Sequence, residues 1–281
     1  MLSISTIGAG FVGNAVARGF NVFAEVKVYD INPLLATHTF EEAVNCDFVF
    51  LALPTPMTKV EGGECNLSII EGFFEKVASI ATVNQSIYVI KSTVPVGTTR
   101  AMSEKYNIRR LVHNPEFLTA KNAVFDFAFP SRNIVGGQDI VSVNKVADLL
   151  RSRFPNTLCY TMSSEESEMI KYVSNCFLMT KIVFFNEVYL LAQKMGLNWD
   201  MIVKGVTADS RIGTSHCKVP GDDGSMGGGG FCFPKDINAF ITTCCEHGVD
   251  PIVLKAVWEQ NKKVRKVWDW AESKSSVLEK K

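Results

Sequence analysis

The sequence predicts an α/β protein in which a Rossmann-like, doubly wound parallel sheet precedes an all-helical part with one long helix. In the first half of the chain, short apolar runs alternate with helical stretches, as in repeated βαβ units. Several runs are apolar at every position, which is typical of strands buried on both faces. Beyond residue 162 only helical patterns remain. We therefore expect an N-terminal domain of residues 1–162 and a helical domain of residues 163–281.

The predicted strands share a short length and a largely apolar pattern. They are Leu2–Ile7, Glu25–Tyr29, Phe48–Leu53, Ile87–Lys91, Arg110–His113, Asn133–Gly136 and Thr157–Thr161. Because helical stretches separate them, these strands are expected to form a parallel sheet covered by helices.

One long helix is predicted from Ser163 to Met195. Ser163 and Ser164 provide N-cap hydroxyls, two glutamates follow in the first turn, and Gly196 ends the pattern. The helix is apolar on nearly all sides, which predicts burial. We expect that burial to occur against a second copy of the chain, in a homodimer formed through residues 163–195. Further predicted helices are Trp199–Val206, Ile237–Glu246 and Pro251–Ala271, and the end, Glu272–Lys281, is expected to be frayed.

Composition argues against several classes of partner. The 29 acidic and 29 basic residues give a net charge of zero, so charge favours neither nucleic acid nor a membrane surface. We expect no membrane span, and Met1 leads directly into a strand without a signal sequence. The eight scattered cysteines are expected to be reduced thiols, which indicates the cytoplasm. Cys244, Cys245 and His247 fit no common zinc spacing, so no metal site is predicted.

A glycine signature follows the first strand and opens a helix. In the spacing of Gly8, Gly10 and Gly13, the first glycine makes the turn, the second lets the backbone approach a pyrophosphate, and the third permits helix–strand packing. The helix N-terminus would then bind phosphate. Asp30, 22 positions after Gly8, can accept hydrogen bonds from a ribose 2′-hydroxyl. Because no arginine follows Asp30 to pair with a 2′-phosphate, the predicted cofactor is NAD and not NADP.

A second glycine-rich stretch, Met226–Phe231, leads into Cys232, with Lys235 and Asp236 close behind. A thiol beside a cation ionises readily, and the thiolate is a nucleophile. Taken alone, such a cysteine is more often buried and inert. Together with a nicotinamide cofactor, it suggests the oxidation of an aldehyde.

Several stretches, in the same order along the chain, resemble the UDP-glucose/GDP-mannose dehydrogenase family. They are Gly8–Gly13, Leu53–Pro56, Lys91–Gly97, Asn114–Leu118, Glu168–Asn175, Phe185–Glu187, Asp209–Gly213 and Cys232–Asp236. The Cys-Phe-Pro-Lys-Asp form is more similar to the UDP-glucose branch than to the N-acetylmannosamine branch. The resemblance implies that a sugar C6 alcohol, that of UDP-glucose in the first instance, is oxidised to a carboxylate while two NAD are reduced.

The resemblance also implies catalytic roles. Lys171 and Asn175, four residues apart on one helix face, would stabilise the developing C6 alkoxide. Cys232 would add to the aldehyde as a thiohemiacetal, which is then oxidised to a thioester. The water that hydrolyses the thioester would be positioned and activated by family-matched polar residues, namely Glu116, Thr93 and Asp236.

The same resemblance implies the binding residues. NAD would be held by Gly8, Gly10, Phe11, Val12, Gly13, Asp30, Pro54, Thr55, Thr93 and Lys235. The nucleotide sugar would be held by Glu116, Phe117, Leu118, Lys171, Asn175, Arg211 and Gly229. The family arginine that Arg211 resembles reaches the sugar nucleotide from the neighbouring subunit, so the active site would need the dimer.

Two departures from the family pattern affect these expectations. The loop before the cysteine has Gly228 where an aromatic residue is usual and Phe231 where a serine is usual, and Pro220–Ser225 resembles an insertion. This loop is therefore expected to be more flexible. The family usually has a third, C-terminal α/β domain, which we expect this chain to lack, so the nucleotide half of its site would be incomplete or supplied from elsewhere.

Two alternative functions stay open. A β-hydroxyacid dehydrogenase of similar size performs a single oxidation and needs no cysteine. A non-catalytic assembly or regulatory subunit would bind NAD without turnover, although the joint presence of Lys171, Asn175, Cys232 and Asp236 argues against it.

Overall fold

The computed structural model describes residues 2–80, 85–272 and 276–278, and the chain forms two compact units. The first unit consists of Met1–Thr55 and Asn66–Lys171, and the second of Pro56–Cys65 and Tyr172–Lys281. The short segment Pro56–Cys65 thus belongs to the second unit, although in the sequence it interrupts the first.

The first unit contains the predicted sheet. Its strands within the described residues are β1 (Ser3–Ile7), β2 (Glu25–Tyr29), β3 (Phe48–Leu51), β4 (Ile87–Ile90), β5 (Leu111–His113), β6 (Asn133–Gly137) and β7 (Cys159–Met162). Their spatial order is β2-β1-β3-β4-β5-β6-β7, and neighbours are parallel except for β5 and β6. The strand order reverses between β1 and β3, which is where ligands bind in doubly wound sheets. The predicted Rossmann-like fold class is confirmed.

Helices cover both faces of this sheet. They are α1 (Phe11–Phe20), α2 (Phe40–Val44), α3 (Ser68–Ala78), α4 (Thr98–Tyr106), α5 (Ala123–Ala128) and α6 (Ile140–Arg153), with a 3₁₀ turn at Ala120–Asn122. On β3, Phe48 and Phe50 belong to one buried cluster, whereas Val49 and Leu51 belong to another. Successive residues of a strand point to opposite faces, so burial on both faces explains why β3 is apolar at every position.

Helix α7 (Ser164–Lys194) begins in the first unit and continues into the second. Ser163 caps it as predicted, because its Oγ accepts from the Glu166 N–H (3.3 Å) while its own N–H donates to the Glu166 carboxylate (2.8 Å). One apolar face, which includes Val173 and Phe177, is exposed in the single chain. By length and composition α7 is apolar enough to cross a membrane, a criterion that core helices of soluble proteins also meet.

The second unit is helical, as predicted. After α7 it contains α8 (Trp199–Thr207), α9 (Phe233–Glu246), α10 (Ile252–Val264) and a 3₁₀ turn at Asp269–Glu272. Its core includes Met179 from α7, Ile237 from α9 and Trp258 from α10, together with Met57 from the segment Pro56–Cys65. Buried apolar side chains therefore explain why that segment belongs to this unit.

Two predictions for the end of the chain are wrong. The predicted helix Pro251–Ala271 ends at Val264, because Arg265 adopts an extended backbone and buries its side chain among hydrogen-bond acceptors. The tail that was expected to be frayed is packed at Ser276 and Val277, which are buried, and Val277 pairs with Met57. Residues 273–275 and 279–281 of that tail lie outside the described part of the chain.

Candidate active site

The turn between β1 and α1 is built around three glycines. Gly8 has a φ of +95°, and a Cβ there would lie 2.5 Å from the Ala52 carbonyl oxygen. A Cβ at Gly13 would overlap the Gly8 carbonyl oxygen. At Gly10, by contrast, a Cβ would meet no described heavy atom within 4 Å. The first and third glycines are thus required by the fold, whereas the second leaves open space for a ligand.

This open space lies at the N-terminus of α1. Gly10 has no side chain to cap the helix, and the first turn, Phe11–Gly13, contains no acid, so its N–H groups and the helix dipole favour an anion. Asp30, directly after β2, accepts from the Ala9 N–H (2.7 Å) through Oδ2 and from the Asn32 N–H (2.8 Å) through Oδ1. Both carboxylate oxygens keep lone pairs for a ribose hydroxyl. These residues fit the pyrophosphate and ribose of NAD.

The loops after β3 and β4 are hydrogen-bonded to each other. The Thr55 hydroxyl donates to the Thr93 carbonyl oxygen (2.8 Å), and the Ser92 hydroxyl donates to the Leu53 carbonyl oxygen (2.6 Å). Thr55 and Thr93 are buried, whereas Pro54 is exposed. Because β3 neighbours both β1 and β4, these residues lie at the same edge of the sheet as the glycine turn.

Lys171 and Glu116 form a buried ion pair in the first unit. Lys171 Nζ lies 2.9 Å from Glu116 Oε1 and 2.6 Å from the Glu116 carbonyl oxygen, and its side chain is 3% exposed. Glu116 Oε2 accepts from the Leu118 N–H (2.5 Å). Burial by itself would raise the pKa of Glu116, but the charge of Lys171 and these hydrogen bonds lower it. Glu116 is therefore ionised at neutral pH.

Sequence reasoning assigned no role to Lys91, which lies beside this pair. Its Nζ donates to Asn114 Oδ1 (2.9 Å) and its side chain is buried. Burial lowers the pKa of Lys91 to about 7, and the charge of Glu116 opposes this effect. The sequence feature that could have identified Lys91 is its position directly after the continuous apolar run Ile87–Ile90, because a lysine in such a place requires a buried partner.

Two further buried residues, also without a predicted role, fasten the start of α7. Glu168 accepts from the N–H groups of Gly97 (2.6 Å) and Thr99 (2.8 Å), at the N-terminus of α4. His113 Nδ1 lies 2.8 Å from Ser167 Oγ. Burial raises the pKa of Glu168 to about 7 and lowers the pKa of His113 to about 3. A glutamate within a largely apolar helix was the signal that could have identified Glu168.

In the second unit, Cys232 stands at the N-terminus of α9 with its side chain partly exposed. Asp236 is buried in the first turn, where its Oδ2 accepts from Asn175 Nδ2 (2.5 Å) and its Oδ1 pairs with the Lys235 ammonium. Burial would lower the pKa of Lys235, but the charges of Asp236, Cys232 and Cys65 raise it. Both this cation and the helix N-terminus favour a thiolate. Within the described residues, no cluster of His, Cys, Asp or Glu could hold a metal ion.

The loop Met226–Phe231 was expected to be more flexible than its family counterparts, and the structure instead shows it fastened. Two of its N–H groups donate to the buried side chains of Asn186 (2.9 Å) and Asn261 (2.7 Å). Gly229, one of the predicted substrate ligands, lies so close to the Arg265 guanidinium that a Cβ would overlap it. The loop is rich in glycine because its backbone approaches these side chains closely.

Arg211 lies on an exposed turn after α8. Its guanidinium pairs with Asp209 (2.6 Å), and its side chain is 88% exposed. It differs in this respect from Asn175 and Asp236 of the same unit, which are buried. Arg211 is thus available to a molecule outside the single chain.

A pocket of about 230 Å³ opens beside Glu116 in the first unit. Phe117 forms part of its wall, with the Arg132 guanidinium carbon 3.8 Å and Lys171 Nζ 5.4 Å from its ring centre. Asn133 also lines the pocket, and its Nδ2 has no hydrogen-bond partner among the described residues. The wall therefore carries a cation, the Arg132 guanidinium, together with the carboxyl groups of Glu116 and Asp126.

The strand order, the glycine turn and Asp30 define a dinucleotide-binding Rossmann protein with an added helical unit. Two family models match this chain. The NAD binding domain of the UDP-glucose/GDP-mannose dehydrogenase family matches residues 32–153, and the central domain of the same family matches residues 165–263. The chain therefore belongs to the UDP-glucose/GDP-mannose dehydrogenase family, as the resemblance implied, and its cofactor is NAD.

Individual relatives agree with this assignment. The UDP-glucose 6-dehydrogenase of Campylobacter jejuni is 34% identical over 83% of this chain and 58% of that protein. The UDP-glucose 6-dehydrogenase of Bacillus subtilis is 34% identical over 76% of this chain and 48% of that protein. The chain thus spans about half the length of the curated relatives it matches.

Solved structures share the fold. A UDP-glucose dehydrogenase from Pyrobaculum islandicum aligns with a TM-score of 0.81 at 28% identity, over 94% of this chain and 68% of that chain. A 3-hydroxyisobutyrate dehydrogenase from Mycobacterium tuberculosis aligns with a TM-score of 0.73 at 16% identity, over 94% of this chain and 93% of that chain. The second likeness concerns the fold alone.

Proposed function

We propose that this chain carries the catalytic residues of an NAD-dependent dehydrogenase that oxidises the C6 hydroxyl of UDP-glucose to a carboxylate. The main support is the Cys232 thiol at the N-terminus of α9, next to an ammonium group that its surroundings keep charged. Such a thiol is suited to attack an aldehyde, the intermediate between an alcohol and a carboxylate. When bound, NAD supplies the hydride acceptor for both oxidations.

In the first oxidation, Lys171 and Asn175 stabilise the C6 oxygen as it loses its proton. They are four residues apart on α7 and so share a face of that helix. Each is oriented by a buried carboxyl group, Lys171 by Glu116 (2.9 Å) and Asn175 by Asp236 (2.5 Å). Donors fixed in this way stabilise a developing alkoxide without having to reorganise.

In the second oxidation, Cys232 Sγ forms a bond to the aldehyde carbon, and the aldehyde oxygen takes up a proton to give a thiohemiacetal. Loss of a second hydride from C6, together with the proton of the thiohemiacetal hydroxyl, leaves a thioester. Water then cleaves the thioester to the carboxylate and regenerates the thiol. The groups proposed to position and deprotonate this water are Glu116, whose pKa is lowered, together with Asp236 and the Thr93 hydroxyl.

UDP-glucose is proposed over other nucleotide sugars on two grounds. The segment Cys232–Asp236 resembles the UDP-glucose branch of the family, and two relatives named UDP-glucose 6-dehydrogenase are 34% identical to the chain. The Arg132 guanidinium in the wall of the Glu116 pocket is compatible with a phosphorylated, hydroxylated ligand.

We also propose a cytoplasmic homodimer in which the exposed face of α7 packs against its copy. Val173, Phe177, Phe184 and Leu191 recur along this face at helical spacing and are exposed. A contiguous apolar face of this kind is typical of a protein interface. The exposed Arg211 could then serve the active site of the neighbouring subunit.

The first test follows NADH formation with UDP-glucose, GDP-mannose and UDP-N-acetyl sugars, with the Cys232→Ser variant in parallel. We expect two NADH per UDP-glucose, and a loss of the second oxidation by about a thousandfold in the variant, because an unactivated serine hydroxyl is a weak nucleophile. A single NADH per sugar, unchanged in Cys232→Ser, would indicate a β-hydroxyacid type of oxidation instead. NAD binding without turnover of any nucleotide sugar would contradict the proposal and favour a non-catalytic subunit.

A further inference from the structure

The stretch Met226–Phe231, here called the cysteine loop, is bonded to the end of α10 and to the segment that follows it. Asn261, fully buried on α10, accepts from the Gly228 N–H (2.7 Å) and donates through Nδ2 to the Gly228 carbonyl oxygen (3.0 Å). One side-chain amide thus satisfies both backbone groups of a loop glycine.

Arg265, the residue at which α10 ends, holds the neighbouring part of the cysteine loop. Its side chain is 3% exposed and donates to the Gly227 carbonyl oxygen (3.4 Å) and to Asp269 Oδ1 (2.9 Å). Asp269 in turn accepts from the Gly230 N–H through Oδ2 (2.8 Å). Gly229 lies against the guanidinium without room for a Cβ. Gly227 and Gly230 are therefore hydrogen-bonded by one arginine and its carboxylate partner, and Gly229 packs against the same guanidinium.

The segment Pro220–Ser225, which resembles an insertion, completes this arrangement. Its turn is closed by a hydrogen bond from the Gly221 N–H to the Ser225 carbonyl oxygen (2.8 Å), and Asp223 Oδ1 accepts from the Ser225 N–H (2.9 Å). Asp223 Oδ2 then accepts from the Arg265 guanidinium (2.8 Å). Arg265 thus faces two carboxylates, which compensate the cost of burying its charge.

We infer that Asn261, Arg265 and Asp269 are positioning residues that hold the cysteine loop in the conformation that presents the Cys232 thiol. The inference rests on the proposed function, in which Cys232 is the nucleophile. The four consecutive glycines Gly227–Gly230 lose much conformational entropy on ordering, so the loop needs these bonds to stay fixed. Misplacing a reacting group by about 1 Å can slow a reaction by about 100-fold, so the fixation bears directly on the chemistry.

Thiol labelling reports on the position of Cys232 without requiring turnover. Trypsin cleaves after Lys218 and Lys235 and so releases a peptide whose one cysteine is Cys232. Cleavage after Arg211 and Lys218 releases a second peptide, whose one cysteine is the buried Cys217. Alkylation by iodoacetamide, followed by mass spectrometry, therefore reads both thiols in one sample, and Cys217 reports on global unfolding.

The variants remove the contacts one at a time. Asn261→Ala removes both bonds to Gly228, and Arg265→Met removes the guanidinium. Asp269→Asn removes a charge from a side chain that is already 38% exposed, so it disturbs folding least. Arg265→Lys keeps the charge and should restore part of the function. Glu259→Gln, at a 60% exposed position on α10, is the matched control and should behave as wild type.

We expect Asn261→Ala, Arg265→Met and Asp269→Asn to label Cys232 about tenfold faster, because the released loop uncovers a partly buried thiol. Labelling of Cys217 should stay slow. With UDP-glucose, kcat should fall by about 100-fold while KM for NAD stays unchanged, and Arg265→Lys should lie between wild type and Arg265→Met.

Wild-type labelling of Cys232 in all three variants would overturn the inference, whatever happens to activity. The inference would also be overturned if Cys232 of the variants is labelled faster while their kcat equals that of the Glu259→Gln control. If wild type turns over no nucleotide sugar, the proposed function fails, while the labelling experiment still decides whether the loop is held as inferred. If Cys217 of the Asn261→Ala variant is labelled as fast as Cys232, that variant has unfolded. The labelling of Cys232 in Asp269→Asn then decides whether the loop is held as inferred.

Discussion

Lys91 is a residue whose charge depends on its surroundings. It follows a strand that is apolar at every position, is buried, and donates to Asn114 Oδ1 (2.9 Å). Burial lowers its pKa to about 7, an effect that the charge of Glu116 opposes and that of Lys171 reinforces. Near neutral pH, the protonation state of Lys91 therefore decides whether Glu116 lies near one cation, Lys171, or two.

Lys91→Met should remove a pH dependence of stability. Lysine titrates near pH 10.4 in the unfolded chain and Lys91 titrates at about 7 in the folded protein, so between these values the unfolded state binds one more proton. The free energy of unfolding of wild type should therefore rise with pH, relative to the variant, by up to about 1.4 kcal/mol per pH unit between about pH 7 and pH 10. Urea unfolding of both proteins at several pH values measures this difference.

Lys145→Met is the control for that experiment, because Lys145 is exposed on α6. It should keep the pH dependence of wild type. Equal pH dependence in wild type and Lys91→Met would show instead that Lys91 stays protonated in the fold.

At the scale of elements, arrangements of residues close together in the sequence could be predicted, whereas contacts between residues far apart in the sequence could not. The turn Gly8–Gly13 and Asp30 belong to one βαβ unit, so their arrangement could be predicted from spacing. Lys171 and Glu116 are 55 residues apart, and no periodicity relates them. The family resemblance supplied both residues but not their ion pair. The end of α10 was missed for the same reason, since the partners of Arg265 include Asp223, 42 residues away.

Gly10 and Gly13 should respond differently to alanine. Gly10→Ala should keep Tm within about 2 °C of wild type, because its φ of −66° suits alanine and its Cβ would enter open space. It should weaken NAD binding by about tenfold or more, because that space fits the pyrophosphate. Gly13→Ala should lower Tm by roughly 5 °C, because its Cβ would overlap the Gly8 carbonyl oxygen.

Thermal unfolding and fluorescence titration with NAD measure both effects in the two variants. Gly10→Ala with wild-type NAD affinity would show that the open space is not where the pyrophosphate binds. Equal losses of Tm in both variants would show that the turn tolerates neither Cβ, and that Gly10 too is required by the fold.

At the scale of the whole molecule, α7 combines several tasks in one helix. Glu168 binds the N-terminus of α4, Lys171 pairs with Glu116, and Asn175 binds Asp236. The same helix also has an apolar face that is exposed in the single chain. A second copy of the chain would cover this face without disturbing the buried polar contacts.

Phe177→Glu should therefore convert the proposed dimer into a monomer. Phe177 is 65% exposed on α7, and a glutamate there would bury an unpaired charge in the interface, at a cost of about 3 kcal/mol or more. Phe125→Glu is the matched control, since Phe125 is also 65% exposed but lies on α5. Light scattering across a concentration series should give a dimer for wild type and Phe125→Glu and a monomer for Phe177→Glu, with NAD binding retained in all three. A wild type that stays monomeric, or a Phe177→Glu variant that stays dimeric, would exclude this face of α7 as the interface.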